Sequence, residues 1–333
     1  MRTGAYWDKY QQKRVKVMYI CKSNFAEAIH DMLDFKESAG YAKSTHIPSL
    51  NNFDRFCVRF YPEQKVLTKE IVMHWLQKRP REHAGGLKKR ANTIRQFGKY
   101  LNYAGIEAYE LPSGFIGGRS SYVPYLFSDE ELSAFFTATD NIKQHGVSPF
   151  SHNTISVIFR VIYCCGLRPN EGRLLKRKHV NLDTGELLIV NAKANRDRVV
   201  MMSDDIINLC RKYDILMEKI LPYREYFFPN KKGEAYAPNS IENQFRKCWR
   251  LAKKSKVERM PRVYDLRHRF ATSVMMNWMS EGKDLFSLLP YLSAYMGHAH
   301  FDATAYYIHL LPANLANFSV INWEAFNQLI PEI

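Results

Sequence analysis

Apolar residues recur at helical spacing along most of this chain. In the segments NFAEAIHDMLDFKESAG and SLNNFDRFCVRFY they come three and four positions apart, which is the spacing of a packed helix face. The basic stretch that begins at residue 78 keeps this spacing through Ile94, Phe97 and Leu101. We therefore predict that the first third of the chain is all helical.

The pattern changes after residue 125. FSDEELSAFF opens with Ser and Glu three residues apart, a capping box that starts a helix, and NTISVIFRVIYCCG predicts a helix that ends at Gly166. The runs GELLIV and RVVMM are typical of short β-strands, and the polar residues between them predict a hairpin. Helical patterns then resume. The expected fold class is mainly α with a small antiparallel β-sheet.

A seam rich in Gly, Ser and Pro, LPSGFIGGRSSYVP, separates two regions of different composition. A chain of 333 residues is long enough for two domains that each bury a core. The predicted organisation is a basic N-terminal segment (1–20), a helical domain (21–112), a linker (113–125) and a second domain (126–333).

Positive charge is in excess and unevenly distributed. The chain carries 48 Lys and Arg against 33 Asp and Glu, a net charge of +15, and residues 1–115 hold +9 of it. Such an excess indicates a polyanionic partner, either nucleic acid or an anionic membrane. The longest apolar stretch is interrupted by Arg160 and is too short to span a bilayer, and the N-terminus lacks a signal-like apolar run. Nucleic acid is therefore the expected partner, with no membrane association.

The basic stretch at residues 78–99 holds eight Lys and Arg but a single acidic residue. A run of charge is usually a solvated helix face, but the near absence of interspersed acids favours contact with DNA. The residues predicted to contact DNA are Lys88, Lys89, Arg90, Arg95 and Lys99.

The six cysteines are scattered, and their spacing does not suit a zinc site. We expect them to be reduced thiols in a cytoplasmic protein. His298 and His300 form one tempting pair, but no Cys or acidic residue is placed to complete a ligand set. Neither a metal nor an organic cofactor is expected.

Four segments, CGLRPNEGRLL, NAKANRDRVV, YDLRHRFAT and MGHAHFDATAYYIH, occur in the order and at nearly the spacing of the tyrosine recombinase motifs. Each motif alone is a weak signal, whereas four in order are specific. The chain from about residue 127 to 310 thus resembles the tyrosine recombinase, or phage integrase, family. The resemblance implies a two-domain C-shaped clamp, with a helical core-binding domain followed by the catalytic domain.

The resemblance also implies site residues. Arg168 and Arg267 match the two catalytic arginines, Lys193 in the hairpin matches the catalytic lysine, and His298 matches the late histidine. In the family the nucleophile follows this histidine by nine residues and lies in a Tyr-x-His ending. That count selects Tyr307 over the tyrosine before it.

One position departs from the family pattern. Where the family usually has a histidine three residues before the second arginine, this chain has Tyr264. A phenol can donate a hydrogen bond to a phosphate oxygen but does not readily accept a proton. We expect Tyr264 to be a phosphate donor. His268 is the alternative candidate for the histidine's role, and Glu171 is expected to orient the first arginine.

The activity that the resemblance implies is site-specific DNA recombination. Two guanidinium groups would clamp the non-bridging oxygens of a phosphodiester, and their charge would favour ionisation of Tyr307, since a phenol ordinarily has a pKa of ~10. Lys193 would protonate the departing 5′ oxygen. The products would be a 3′-phosphotyrosine and a free 5′ hydroxyl, and successive strand exchanges would pass through a Holliday junction.

Assembly and biological role are implied less specifically. The family resemblance predicts a monomer when free and a homo-tetramer on DNA in the nucleoid, with a C-terminal tail (311–333) that docks either on a neighbouring copy or on its own domain. Two other functions fit the same residues: a DNA-binding relative that has lost catalysis, and a type IB topoisomerase. Integrase, transposase and chromosome-dimer resolvase all stay open as roles.

Overall fold

The computed structural model describes residues 19–41, 43–116, 123–143, 150–190, 197–252, 259–298 and 300–311. The chain divides into two compact units, Met1–Tyr122 and Val123–Ile333, and the division falls inside the linker predicted at 113–125. The predicted fold class, mainly α with a small antiparallel sheet, is confirmed.

The first unit contains four α-helices in its described part: α1 (Ala26–Ser38), α2 (Ile47–Phe60), α3 (Lys69–Trp75) and α4 (Ala84–Tyr103). Phe53 of α2 lies at their centre. Its ring contacts those of Phe25, Trp75 and Phe97 at centroid distances of 5.9, 5.4 and 6.1 Å. Phe25 caps the start of α1, and Phe53, Trp75 and Phe97 belong to α2, α3 and α4. One aromatic core therefore holds all four helices together.

The described helices of the second unit are α5 (Asp129–Asp140), α6 (Ser151–Cys164), α7 (Pro169–Arg173), α8 (Asp204–Ile220), α9 (Pro238–Ala252), α10 (Val263–Ser280), α11 (Leu285–Met296) and α12 (Asp302–Ala305). The predicted capping box of α5 is present, with Ser128 accepting from the Glu131 amide. Strands β1 (Glu186–Ile189) and β2 (Arg198–Met201) pair antiparallel, as predicted, with Ile189 opposite Arg198.

Helix α10 lies between two apolar clusters. Val263 and Leu266 belong to the main core around α6, whereas Ala271 and Met275 pack in a second cluster with α11 and the residues after it. A side chain on the first turns of α10 is therefore enclosed by both clusters, and Arg267 there is fully buried.

No helix in the described residues is long and apolar enough to cross a membrane.

The end of α6 sets the position of the loop before α7. Gly166 has a φ of +59°, the left-handed conformation that favours glycine, so the predicted helix end is confirmed. A Cβ at this position would lie 2.4 Å from Cδ1 of Phe270 on α10. The Gly166 carbonyl, held in this way, accepts a hydrogen bond from Arg267 Nη1 at 2.7 Å.

Gly166→Ala is expected to destabilise the second unit by about 1–3 kcal/mol more than Gly282→Ala, because a clash with Phe270 adds to the backbone strain. Gly282 is a matched control: its φ is +68°, it follows α10, and a Cβ added there would meet no heavy atom of the described residues within 4 Å. Urea unfolding followed by circular dichroism measures both. Equal losses of stability in the two variants would show that the clash with Phe270 adds no destabilisation.

Candidate active site

Three arginines from three different elements meet at the C-terminal end of α11. Arg168 precedes α7, Arg198 begins β2 and Arg267 lies on α10. Each donates to a different one of three successive carbonyls: Arg198 Nε to Tyr295 at 2.9 Å, Arg267 Nη2 to Met296 at 2.7 Å, and Arg168 Nη2 to Gly297 at 2.7 Å. The negative end of the helix dipole thus helps to hold three cations together.

In the described part of the chain, a single carboxylate, that of Glu171, lies among these guanidinium groups. It accepts two hydrogen bonds from Arg198, at 2.9 and 2.8 Å, and one from Arg168 Nη1 at 2.7 Å. It also accepts from the Arg168 backbone amide at 2.8 Å, and Arg267 Nη1 is 3.9 Å away. Burial alone raises the pKa of Glu171, but the hydrogen bond and charge of Arg198, together with the hydrogen bonds of Arg168, lower it to about 2. One negative charge among three positive ones leaves a net charge of two.

The neutral tautomer of His298 follows from its partners. Its Nε2 is 2.9 Å from Arg267 Nη2, and its Nδ1 is 2.7 Å from the Thr304 hydroxyl. Because a guanidinium only donates, Nε2 must be the acceptor, so Nδ1 carries the proton and donates to Thr304. Burial, followed by the charges of Arg267 and Arg168, lowers the pKa of His298 to about 3. The imidazole is therefore neutral at pH 7.

Tyr307 lies beside this network and is 2% exposed. Its ring centroid is 6.0 Å from that of His298 and 5.5 Å from that of His268. Burial raises the pKa of Tyr307 to about 12, although the charge of Arg267 and a hydrogen bond with it act in the opposite direction. The nearby cations thus act on the pKa of this phenol in the expected direction, but in the protein alone desolvation of the phenolate outweighs their attraction.

A cavity of about 290 Å³ opens at the tyrosine. Its walls include Arg168, Tyr264, His268, His298, Tyr306 and Tyr307. Arg267 lies behind this wall, with its side chain buried against His298 and the α11 carbonyls. The arrangement presents arginine donors, a phenol and a neutral imidazole to one small space, which are groups suited to binding an anion and attacking it.

The sequence profile of the phage integrase family matches residues 127–314, more than half of the chain and the whole of the cavity. The chain belongs to the phage integrase family.

Known relatives of this integrase-family protein cover most of its length. The Sinorhizobium fredii protein y4rE, whose own assignment as an integrase/recombinase is provisional, is 26% identical over 85% of this chain and 90% of its own. Tyrosine recombinase XerD of Rhizobium meliloti is 24% identical over 68% of this chain and 70% of its own. The fold is similar to that of the XerH recombinase bound to its difH substrate, with a TM-score of 0.61 at 20% identity over 85% of this chain and 80% of XerH.

The structure of this integrase-family protein brings five of the six predicted catalytic residues together: Arg168, Tyr264, Arg267, His298 and Tyr307. The sixth, Lys193, lies outside the described residues, as does almost all of the predicted tail at 311–333. The hairpin strands on either side of Lys193 are described, and β2 carries Arg198 into the arginine cluster.

Sequence reasoning missed Arg198 and Thr304, which hold Glu171 and His298 in place. Arg198 belongs to the motif NAKANRDRVV. The alternation of side chains along β2 is the signal that separates its inward-facing residues from its outward-facing ones. Thr304 carried no local signal. Its contact with His298 depends on the turn that joins α11 to α12.

The predicted DNA-contacting residues of α4 fall into different environments. Lys88 and Lys89 are exposed, and Lys99 is exposed with Glu110 at 3.4 Å. Arg95 is half-buried and donates to the carbonyls that follow the helix at residues 111 and 112. The three lysines are accessible to solvent, and their contact with DNA stays a prediction.

Arg90 requires a correction. It is 7% exposed, and its guanidinium forms a two-pronged ion pair with Glu82 at 2.7 and 2.6 Å. It also donates to the Trp75 carbonyl and lies over the Trp75 ring. These contacts use Arg90 to join the end of α3 to α4, because a buried guanidinium needs a paired carboxylate. It is therefore not available to DNA in this structure.

Two partly buried histidines, His268 and His298, predict acid sensitivity of the second unit. Burial lowers the pKa of His268 to about 4, as it lowers that of His298, so the unfolded chain binds protons below pH 6.5 that the folded chain does not. The free energy of unfolding must then fall as the pH drops below about 6.5, by about 2 kcal/mol per histidine between pH 7 and pH 5. The depressed pKa of Glu171 extends the loss in the same direction below pH 4.5.

His268→Gln is expected to remove about 2 kcal/mol of the stability difference between pH 7 and pH 5. The exposed His300 of the same unit, replaced by Gln, serves as the control for loss of a histidine at the cavity. Urea titrations at the two pH values give the difference. An unchanged pH dependence in the His268 variant would contradict the assignment of a buried neutral imidazole.

Proposed function

We propose that this tyrosine recombinase cleaves and rejoins double-stranded DNA at specific sites, with Tyr307 as the nucleophile. The observation that carries the proposal is the placement of a buried phenol beside an arginine cluster that has two positive charges in excess. A phosphodiester is the substrate that such a site complements, because planar guanidinium groups match the geometry of phosphate oxygens.

The covalent step transfers the phosphoryl group from DNA to the enzyme. The Tyr307 oxygen forms a bond to phosphorus while the bond to the 5′ oxygen breaks, which conserves the phosphodiester energy for religation. Arg168 and Arg267 stabilise the extra charge on the non-bridging oxygens, and one such donor is worth roughly 10²–10³ in rate. Lys193 of the hairpin gives the departing 5′ oxygen its proton.

The proton of Tyr307 also needs an acceptor, because burial keeps the phenol protonated in the free protein. Both ring nitrogens of His298 are engaged, and Tyr264 is itself a phenol. His268 lines the same cavity, and its Nδ1 is buried without a hydrogen-bond partner in the described part of the chain. We assign it the acceptor role and give Tyr264 that of a hydrogen-bond donor to the phosphate.

The relatives support DNA as the partner. XerH was crystallised with a palindromic difH substrate in a post-cleavage complex, and lambda integrase was crystallised as a dimer on a core site. By analogy, we propose that the helical first unit binds the duplex through α4 and that four copies pair two sites and exchange strands through a Holliday junction. The tail at 311–333 would dock on a neighbouring copy.

A nicked duplex tests the covalent step, because the short end diffuses away after cleavage and traps the enzyme on DNA. Duplexes tiled across the genomic DNA that flanks the gene provide the candidate sites. The wild type is expected to form an adduct that survives denaturing electrophoresis, and Tyr307→Phe to bind without forming one.

Tyr306→Phe is the matched control, since its ring lies 6.4 Å from that of Tyr307 and also lines the cavity. It should retain the adduct. Adducts from Tyr307→Phe, or tight binding by the wild type with no adduct on any tile, would overturn the proposal. Joining of two sites, rather than relaxation of supercoils alone, distinguishes a recombinase from a topoisomerase.

Replacing both Lys88 and Lys89 by Ala is expected to weaken DNA binding on all sequences. The slope of log K against log salt should become shallower by roughly 0.9 per lost phosphate contact. Arg90→Met is the contrasting variant, because it breaks a buried ion pair and should lower folding stability without changing the slope. Fluorescence anisotropy at about 50 to 200 mM NaCl, a range over which phosphate contacts change the affinity strongly, measures the slope for each variant. An unchanged slope in the lysine variant would exclude α4 as a binding face.

A further inference from the structure

We propose that Arg198 is a positioning residue for the reaction: it binds both oxygens of the Glu171 carboxylate, limits the contact of that carboxylate with the Arg168 guanidinium to one nitrogen, and so keeps the other donors of Arg168 free to bind the phosphate. This inference rests on the proposed function of the cavity. It concerns a residue that does not itself line that cavity, so Arg198 is expected to act through its neighbours and not by touching DNA.

Arg198 is the principal partner of Glu171. Two of its nitrogens grip the two carboxylate oxygens in a fork, at 2.9 and 2.8 Å, and the side chains of Arg198 and Glu171 are only 9% and 7% exposed. The guanidinium of Arg168, by contrast, meets the carboxylate with Nη1 alone, beside the hydrogen bond from the Arg168 backbone amide. The stronger, bidentate ion pair with Glu171 is therefore formed by Arg198, which does not line the cavity.

This division leaves donors on Arg168. A guanidinium has five N–H groups, and the described contacts of Arg168 commit one to Glu171 and one to the Gly297 carbonyl. Without Arg198, the carboxylate would be free to turn and form its own fork with Arg168. A phosphate would then have to compete with a buried carboxylate for the same donors.

Charge leads to the same conclusion. Arg168, Arg198, Arg267 and Glu171 together carry a net charge of two, which is the excess that a phosphate with growing transition-state charge requires. Loss of Arg198 halves that excess to one. In a site shielded from water, such a change acts strongly on a transition state that carries more negative charge than its substrate.

Arg198 also packs against the helix end that precedes His298. Its Nε donates to the Tyr295 carbonyl, and a Cβ at Gly297 would lie 3.0 Å from its Cδ and Nη1. Gly297, with a φ of +64°, allows this close approach. The test of an Arg198 variant must therefore distinguish the loss of its effect on Arg168 from a general destabilisation of the end of α11.

The experiment compares two scissile groups in single-turnover cleavage of a nicked duplex that the wild type cleaves. One carries the natural phosphodiester, and the other carries a methylphosphonate, in which a neutral methyl group replaces one charged oxygen. Arg198→Met should slow cleavage of the phosphodiester by about 10²–10³, the loss typical of one preorganised donor, but slow the methylphosphonate by less than about tenfold. Arg198→Lys, which keeps the charge without the fork, should fall between Met and the wild type.

A second variant tests the competition directly. Adding Glu171→Gln to Arg198→Met removes the carboxylate that would capture Arg168 and restores the net charge of two. The double variant should cleave the phosphodiester at least about tenfold faster than Arg198→Met, the size of effect expected for one buried unit of charge. A purely structural role for Arg198 predicts the opposite, since removing its partner should only add damage.

Arg224→Met is the matched control for loss of a buried arginine. Arg224 lies in the same unit with a fully buried side chain, and it pairs with Asp214 and Glu218 instead of the cavity residues. It should lower thermal stability yet cleave both substrates at wild-type rates below its melting temperature. Equal slowing of both substrates by Arg198→Met, together with no gain in the double variant, would overturn the inference. Failure of the wild type to form a Tyr307 adduct would instead overturn the proposed function.

Discussion

The Glu171 carboxylate accepts three hydrogen bonds from the side chains of Arg198 and Arg168 and one from the Arg168 backbone amide, and its side chain is only 7% exposed. Three guanidinium groups repel one another, and bringing them together is possible only because this carboxylate and three helix-end carbonyls lie between them. The carboxylate is thus a structural counter-ion that offsets only one of the three positive charges. It neutralises enough charge for the cluster to fold and leaves enough to attract a phosphate.

The position of α10 between two apolar clusters explains why Arg267 is fully shielded from solvent. Arg267 is placed where both cores close over it, and its two terminal nitrogens donate to the carbonyls of Gly166 and Met296 and to His298. The same burial keeps His298 neutral and Tyr307 protonated in the free protein. The proposed nucleophile is therefore held protonated by desolvation in the free protein, and its attack on a phosphate requires a base that takes the phenol proton, the role proposed for His268.

In the first unit, too, packing decides which positively charged side chains reach the solvent. Lys89 and Arg90 are neighbours in one cationic run, yet one is exposed and the other is buried against Trp75 and Glu82. A rotation of about 100° per residue on a helix is enough to separate a side chain that faces solvent from one that supports the core. Net charge indicates the partner of the unit, whereas the helix face decides which cations can meet it.

The sequence by itself determined the helices and the hairpin, the glycine that ends α6 and the order of the family motifs, because periodicity, capping and left-handed turns depend on neighbouring residues. It also determined which residue types the chemistry needs. Tertiary structure alone decided that Arg168 reaches Gly297, 129 residues away, that Arg198 grips Glu171, and that Arg90 is withdrawn from the surface. It also decided that desolvation outweighs the charge of Arg267 and raises the pKa of Tyr307, since burial is a property of the packed core and cannot be read from residues that lie far apart along the chain.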